Sequence, residues 1–257
     1  MEWEDDAILL RARPFGESGQ IVTVLTATHG RATALVRGGQ SLRQRAMLGA
    51  GNELRVRWRG RLAQQLGYFT CEPMRNVAAA WFHDPVALAV IGAATALTDV
   101  GLPEQQPMPH VYQALRALLA TETSQIWAPA YVRFELGLLQ VLGYGLDLTR
   151  CAATGAQPPD VDLAYVSPKT GRAVTAAAGA AYHDKLLALP AFLWREGAVA
   201  DAPAIAAGLV LTGHFLERYV MQQRPVAGGI QAALPAARQV LQNIFSAEGL
   251  AARENVA

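Results

Sequence analysis

The sequence predicts an α+β protein of more than one domain. A five-stranded β-barrel over residues 1–75 is followed by an all-α helical domain over residues 76–257, which carries a turn-rich insertion at 146–175. Three observations predict this. Short apolar and β-branched runs, broken by Gly, Pro and His-Gly turns, fill the first 75 residues. Beyond Asn76 the apolar period lengthens from about two to about 3.6 residues. Residues 31–61 hold eight arginines (31, 37, 43, 45, 55, 57, 59 and 61) against one acid, Glu53.

In order, residues 7–10 (AILL) form an apolar run that Pro14 and the Gly16–Gly19 turn bring to a stop. Residues 21–26 (IVTVLT) are β-branched and strand-like. His29-Gly30 turns the chain into residues 32–36, which end at Gly38-Gly39. A short irregular or helical piece at 42–48 leads to residues 52–59 (NELRVRWR), where alternation is strict. Leu54, Val56 and Trp58 point one way and Arg55, Arg57 and Arg59 the other, the arginines about 7 Å apart along the strand. Residues 62–71 form the last strand, with Pro73 ending the series. The wide gap between the third and fourth strands is compatible with an OB-type barrel and also with an SH3-like one.

The helical part begins at Asp84-Pro85, an N-cap acid followed by proline at the first helical position, and runs to about Thr98. A second helix follows the proline-rich loop that ends at Pro109, and a third opens at Pro129 with Phe134, Leu138, Val141 and Leu142 as its apolar stripe. Three further helical segments are expected at about 176–189, 202–222 and 235–247, with the domain boundary near 73–78.

At 257 residues, with 52% hydrophobic and 17% charged residues, the chain builds a substantial core and is not disordered. The net charge of +1 conceals an asymmetry. Residues 1–75 hold 11 arginines and 7 acids, a balance of +4, whereas residues 76–257 hold 11 basic residues and 14 acids, a balance of −3. Lysine occurs only at 169 and 185 in an alanine-rich chain, so arginine usage partly reflects composition. The longest apolar runs, 86–97 and 204–211, fall short of the ~20 residues that span a bilayer and read as buried helices of a soluble protein, with no membrane partner expected. The start, MEWEDDAILL, is acidic where a secretory signal needs a basic segment. Cys71 and Cys151 accordingly read as two free thiols in a reducing cytoplasm.

The arginine row carries the chemistry. A charged strand face needs no partner if it is merely solvated, but like charges alternating on one strand repel until an anion neutralises them. Phosphate is the anion this favours, with Arg37, Arg43, Arg45, Arg55, Arg57, Arg59 and Arg61 as the binding residues. Phe15, Trp58, Tyr68 and Phe69 could stack on bases; Trp58 alternates with the arginines and belongs to the core, while adjacent Tyr68 and Phe69 must face opposite ways. Catalytic patterns are absent: Gly38-Gly39 lacks the Lys-Ser/Thr of a phosphate loop, no G-x-S-x-G or H-E-x-x-H occurs, and the five histidines are scattered. Cys71 has no local partner for nucleophilic catalysis, and Asp5-Asp6 reads as a solvated terminus. No enzymatic activity, metal or cofactor is expected.

The segments AILLRARPFGESGQIVTVLTATHGRATALVRGGQSLRQRAML, FELGLLQVLGYGLDLTRCAATG and AYVSPKTGRAV resemble, in this order and over nearly the whole chain, the bacterial recombination and repair protein family RecO. The resemblance implies an N-terminal OB-fold, a C-terminal helical domain and no catalysis. It also implies binding of single- and double-stranded DNA, annealing of complementary strands, contact with the tail of single-stranded-DNA-binding protein (SSB), and RecA loading together with RecR. Its location would be the bacterial cytoplasm, at the nucleoid. Some family members hold zinc with four cysteines in the insertion. Here only Cys151 is kept, with Thr154 and Ser167–Thr170 where further ligands would stand, so the resemblance implies no zinc site. Gly19-Gln20 departs from the acid usual in the family after Glu-Ser. Arg133, before Phe134-Glu135, matches the family's basic contact for the SSB tail, and reads equally as a helix-surface arginine near Glu135 and Asp147. A function of another class is a protein-interaction adaptor whose basic barrel takes acidic protein tails.

Overall fold

The computed structural model describes residues 1–62, 66–222 and 233–246. Two compact units divide the chain: Met1–Ser124 with Pro235–Arg238, and the remainder. The first contains β1 (Glu2–Phe15), β2 (Gly19–Thr26), β3 (Gly30–Val36), α1 (Leu42–Met47), β4 (Glu53–Arg59), β5 (Tyr68–Arg75), α2 (Val77–Ala80), α3 (Pro85–Gly101) and α4 (Pro109–Leu119). The five strands close in the order β1-β2-β3-β5-β4. β1 is antiparallel to both β2 and β4, and the parallel Leu35–Tyr68 pairing of β3 with β5 completes the circuit. This is the OB arrangement, and it resolves the choice between barrels left open above.

Alternation builds the interior. Ala7, Leu9, Val22, Val24, Ala34, Leu54, Val56, Trp58 and Phe69 form one buried cluster inside the barrel. The other faces of β1 and β2 are buried as well, at Ile8, Leu10 and Leu25, because α3 packs on β1 and α4 on β2. Near-continuous apolar runs such as AILLRA are the mark of strands covered on both sides.

Several boundaries differ from expectation. β1 begins at Glu2, because residues 2–8 extend along β4 in register. β5 runs to Arg75 through Pro73, which sits opposite Leu54 where the register shifts; an irregularity of this kind accommodates a residue with no N–H to donate. Residues 63–65 of the expected 62–71 strand, and residue 247 of the last expected helix, lie outside the described residues.

Asp84 caps α3 through its carboxylate, which accepts from the N–H groups of Val86 and Ala87 at 2.9 and 3.0 Å. Buried Asn52 fixes the end of α1: its amide donates to the carbonyls of Ala46 and Met47 and its oxygen accepts from the Val77 N–H. Gln20, at the position where the family departure was noted, is buried and donates to the Gly39 carbonyl at 2.6 Å, pinning the loop that carries Arg37.

The second unit contains α5 (Trp127–Val141), β6 (Leu163–Val166), β7 (Ala173–Thr175), α6 (Ala176–Gly179), β8 (Leu187–Ala188) and α7 (Ala202–Leu216), with α5 packed on α7; α8 (Ala236–Ile244) begins within Pro235–Arg238. α5 starts at Trp127, two positions before Pro129, which falls in the first turn where its missing N–H is not needed. Its stripe stops at Leu138: Phe134 and Leu138 are buried, but Val141 is exposed as the helix ends. The turn-rich, weakly strand-like insertion supplies β6 and β7, which join β8 beyond it in a three-stranded sheet of order β7-β6-β8. The helix expected at 176–189 forms as α6 continued by a 3-10 helix at Ala180–Lys185, and β8 takes the place of its last turn. Cys151 is buried there, its sulfur accepting from the Thr175 N–H at 3.4 Å. No helix among the described residues is long and apolar enough to cross a membrane.

Candidate nucleic-acid interface

The β4 arginines project outward as alternation requires, and all three are exposed. The antiparallel register sets Glu2 opposite Arg59, Glu4 opposite Arg57 and Asp6 opposite Arg55. Each pairing is an ion pair: Arg55 to Asp6 at 2.8 Å, Arg57 to Glu4 at 2.7 Å and Arg59 to Glu2 at 3.0 Å, with Arg57 also 3.7 Å from Glu2. The premise that the row repels itself until an external anion arrives therefore fails, since β1 supplies the anions. Asp6 correspondingly is not a free solvated terminus. Hydrogen bonding and charge from Asp6 strengthen the hold of Arg55 on its proton, and Glu4 does the same for Arg57.

On its other side β4 faces β5, with Glu72 opposite Arg55, Thr70 opposite Arg57 and Tyr68 opposite Arg59. The three guanidiniums thus lie among four carboxylates, those of Glu2, Glu4, Asp6 and Glu72. Negative neighbours dominate at Arg55 and thin out toward Arg59, whose side chain keeps 65% of its surface open.

The positive centre is displaced to that end. Arg59, Arg37, Gln44, Tyr68 and Thr70 line a shallow cavity of about 360 Å³. The Arg37 guanidinium lies 4.3 Å from the centre of the Tyr68 ring, a cation–π contact on an exposed aromatic. Phe69 turns into the core, as alternation predicts. Arg43 and Arg45 are exposed on α1 either side of Gln44, and exposed Arg61 shares a second cavity of about 300 Å³ with Tyr68. Among the described residues, Arg37, Arg43, Arg45 and Arg61 have no carboxylate within ion-pair distance. Arg31 has left the basic surface: its side chain is largely buried, bound to Asp99 at 3.1 Å and to the Leu102 carbonyl at 3.0 Å.

In the second unit, Arg133 on α5 donates through Nη2 to the Phe192 carbonyl at 2.9 Å and stands 5.3 Å from the Phe192 ring. Its guanidinium is thus held by a neighbouring turn of the same unit. Glu135 points the other way and is fully buried, accepting from the Thr212 hydroxyl. Asp147 is engaged by Thr149 and, more distantly, by Arg150 and Arg172. Among the described residues no three His, Cys, Asp or Glu side chains come together as a metal site.

The family model described as Recombination protein O N terminal matches residues 1–76, and that described as Recombination protein O C terminal matches residues 82–226. The chain belongs to the RecO family. The DNA repair protein RecO of Rhodospirillum centenum is 48% identical to it over 238 residues, 93% of this chain and 92% of the relative. That of Phenylobacterium zucineum is 46% identical over 250 residues, covering 97% and 99%. A role in DNA repair and recombination comes with RecO membership.

The N-terminal RecO model ends at residue 76 and the C-terminal one begins at residue 82, on either side of α2, whereas the first compact unit runs on to Ser124 and takes in α3 and α4. Sequence reasoning missed the acidic row. Its signal was present: Glu2, Glu4 and Asp6 alternate with Trp3 and Asp5 just as the β4 arginines alternate with Val56 and Trp58. Two strands of opposite charge and matching period are natural partners.

Proposed function

We propose that this member of the RecO family is a non-catalytic DNA-binding mediator of repair and homologous recombination. It binds single- and double-stranded DNA, anneals complementary strands, engages the acidic SSB tail and, with RecR, promotes RecA loading in the bacterial cytoplasm, at the nucleoid. The observation that carries this reading is the group of exposed guanidiniums without a carboxylate partner among the described residues, Arg37, Arg43, Arg45 and Arg61, around Tyr68 on an OB barrel.

In the mechanism, this group makes the first phosphate contacts. Arg59, and then Arg57 and Arg55, exchange their β1 carboxylates for phosphates. The exchange is inexpensive because exposed ion pairs hold weakly, and a polyphosphate gains from the release of its condensed counterions. Two strands neutralised on one surface repel each other less, which is what annealing requires. Arg133 keeps Nε and Nη1 for a tail carboxylate while Nη2 is bound to Phe192.

The test is binding to a mixed-sequence single strand across a salt series. Contact with about four to six phosphates gives a slope of log K against log salt of roughly −3 to −4. Arg37→Glu with Arg43→Glu and Arg45→Glu should weaken binding uniformly across sequences, since phosphate contacts carry no base information. A salt-independent affinity ends the reading. Annealing of SSB-coated strands should fall when the SSB tail is removed, and in Arg133→Ala.

One observation favours a second reading. The β4 row already accepts carboxylates, from Glu2, Glu4 and Asp6, so an acidic protein tail is a ligand of suitable chemistry. Tight binding of an acidic peptide without any shift of the oligonucleotide at low salt would select that reading.

A further inference from the structure

Beside the arginine track, a cavity of about 380 Å³ opens at the barrel's edge, lined among others by Trp3, His29, Ala32, Thr33 and Trp58 and by Gln105 from the stretch between α3 and α4. A volume of this order admits a planar ring system, and barrel mouths are a favoured place for such sites. Its aromatic wall is built with care. The imidazole of His29 stacks on Trp3 with centroids 4.1 Å apart and planes within 9°, and Trp3 in turn is parallel to Trp58 within 11°. Asp5 holds the imidazole edge through Nδ1 at 3.1 Å, and the same carboxylate accepts from the Thr28 hydroxyl. The His29 N–H donates to Thr26 Oγ1 at 2.9 Å, fixing the turn. About a third of the His29 side chain stays open.

The opposite side brings a second observation. Gln105 lines the cavity with φ of +57°, and it is the one non-glycine with positive φ among the described residues. A side-chain-bearing residue held in the left-handed region carries a backbone cost that tends to be retained at ligand sites. Glu2 then ties the cavity to the arginine track: it stands on the rim, and its carboxylate is the partner of Arg59 at 3.0 Å. A phosphate that takes the place of Glu2 on Arg59 therefore brings its nucleoside to the cavity mouth.

We propose that this cavity is a nucleobase slot, in which an unpaired base of the bound strand stacks against the Trp3–His29 pair. The proposal rests on the DNA-binding reading above and deepens it. It makes the barrel a reader of single-stranded character at one nucleotide: a base still paired in a duplex does not enter, and no particular base is selected because stacking alone tolerates all of them.

The experiment compares two oligonucleotides of equal length and phosphate count, one with all its bases and one abasic throughout, bound to the full chain and to His29→Ala and Trp3→Leu. The wild-type chain should bind the base-bearing strand about ten-fold more tightly, the size of one good stack. Both variants should lose that preference while still binding the abasic strand with wild-type affinity. Equal wild-type binding of the two strands overturns the slot without touching the phosphate contacts, and needs no variant to fold. A preference that survives in both variants also overturns it, by showing that bases are met elsewhere. Failure to bind either strand defeats the DNA-binding reading and the slot with it.

Discussion

Asp6 Oδ1 accepts from both Nε and Nη2 of Arg55, at 2.9 and 2.8 Å, and Glu4 Oε2 treats Arg57 in the same way at 2.9 and 2.7 Å. The β1 carboxylates thus stand where phosphate oxygens would have to stand. On the proposed DNA-binding reading they are built-in competitors of DNA. Neutralising them with Glu2→Gln, Glu4→Gln and Asp6→Asn should tighten DNA binding several-fold at low salt, as read by fluorescence anisotropy. Melting should change little, because exposed pairs contribute little to folding. Unchanged affinity would mean that DNA does not meet Arg55, Arg57 or Arg59.

Asp99 is buried and holds two arginines of the barrel, Arg11 at 2.9 Å and Arg31 at 3.1 Å. Asp99→Ala leaves the largely buried Arg31 guanidinium without its main counter-charge. The expected loss is about 3 kcal/mol of stability, seen as a lower urea midpoint. Arg31, unlike the exposed arginines, should matter for folding and not for the salt dependence of DNA binding.

The Asp84 cap should be worth about 1 kcal/mol, measured as the difference between wild type and Asp84→Ala. Partial burial raises its pKa, but hydrogen bonds from Ser124, Ala87 and Val86 outweigh that and leave it below the ordinary 3.8. A depressed carboxyl contributes in full above its unfolded value. The difference between the two proteins should therefore hold at neutral pH and close as pH falls below about 3.8.

The two cysteines should behave oppositely. Burial pushes the Cys71 thiol up to about 12. Burial acts in the same sense on Cys151, yet hydrogen bonds from Thr154, Thr175 and Ala153 prevail and bring it down to about 6. Thiolate ultraviolet absorbance of the native protein should thus show one step near pH 6, absent in Cys151→Ser. Because the folded value is the lower one, Cys151 stabilises the fold at alkaline pH, and this contribution fades as pH falls toward about 6. The melting difference between wild type and Cys151→Ser should shrink along that path.

Much of this architecture was legible in the residues. The NELRVRWR alternation placed Trp58 inside and the arginines outside, and the Asp84-Pro85 pair placed the start of α3. What was not legible depends on partners distant in sequence. Nothing near Arg31 announces Asp99, 68 positions away, and nothing near Arg55 announces Asp6, 49 positions away. Charge counts along the chain add up neighbours in sequence, whereas a barrel sums neighbours across strands. For the same reason Tyr68 gave no hint of Arg37, and the Trp3–His29 stack joins two residues that no local motif connects.

Gly30 takes φ of +65°, and a methyl group there would fall 2.1 Å from the Gln106 carbonyl oxygen. The β2–β3 hairpin is thereby moulded to a stretch of chain that lies past the end of α3. A fragment cut after residue 76, where the N-terminal family match stops, would bare the greasy outer wall formed by Ile8, Leu10 and Leu25. Expressed alone, the barrel should come out sticky and self-associating, and adding residues 77–124, which bring α3 and α4, should lessen that self-association.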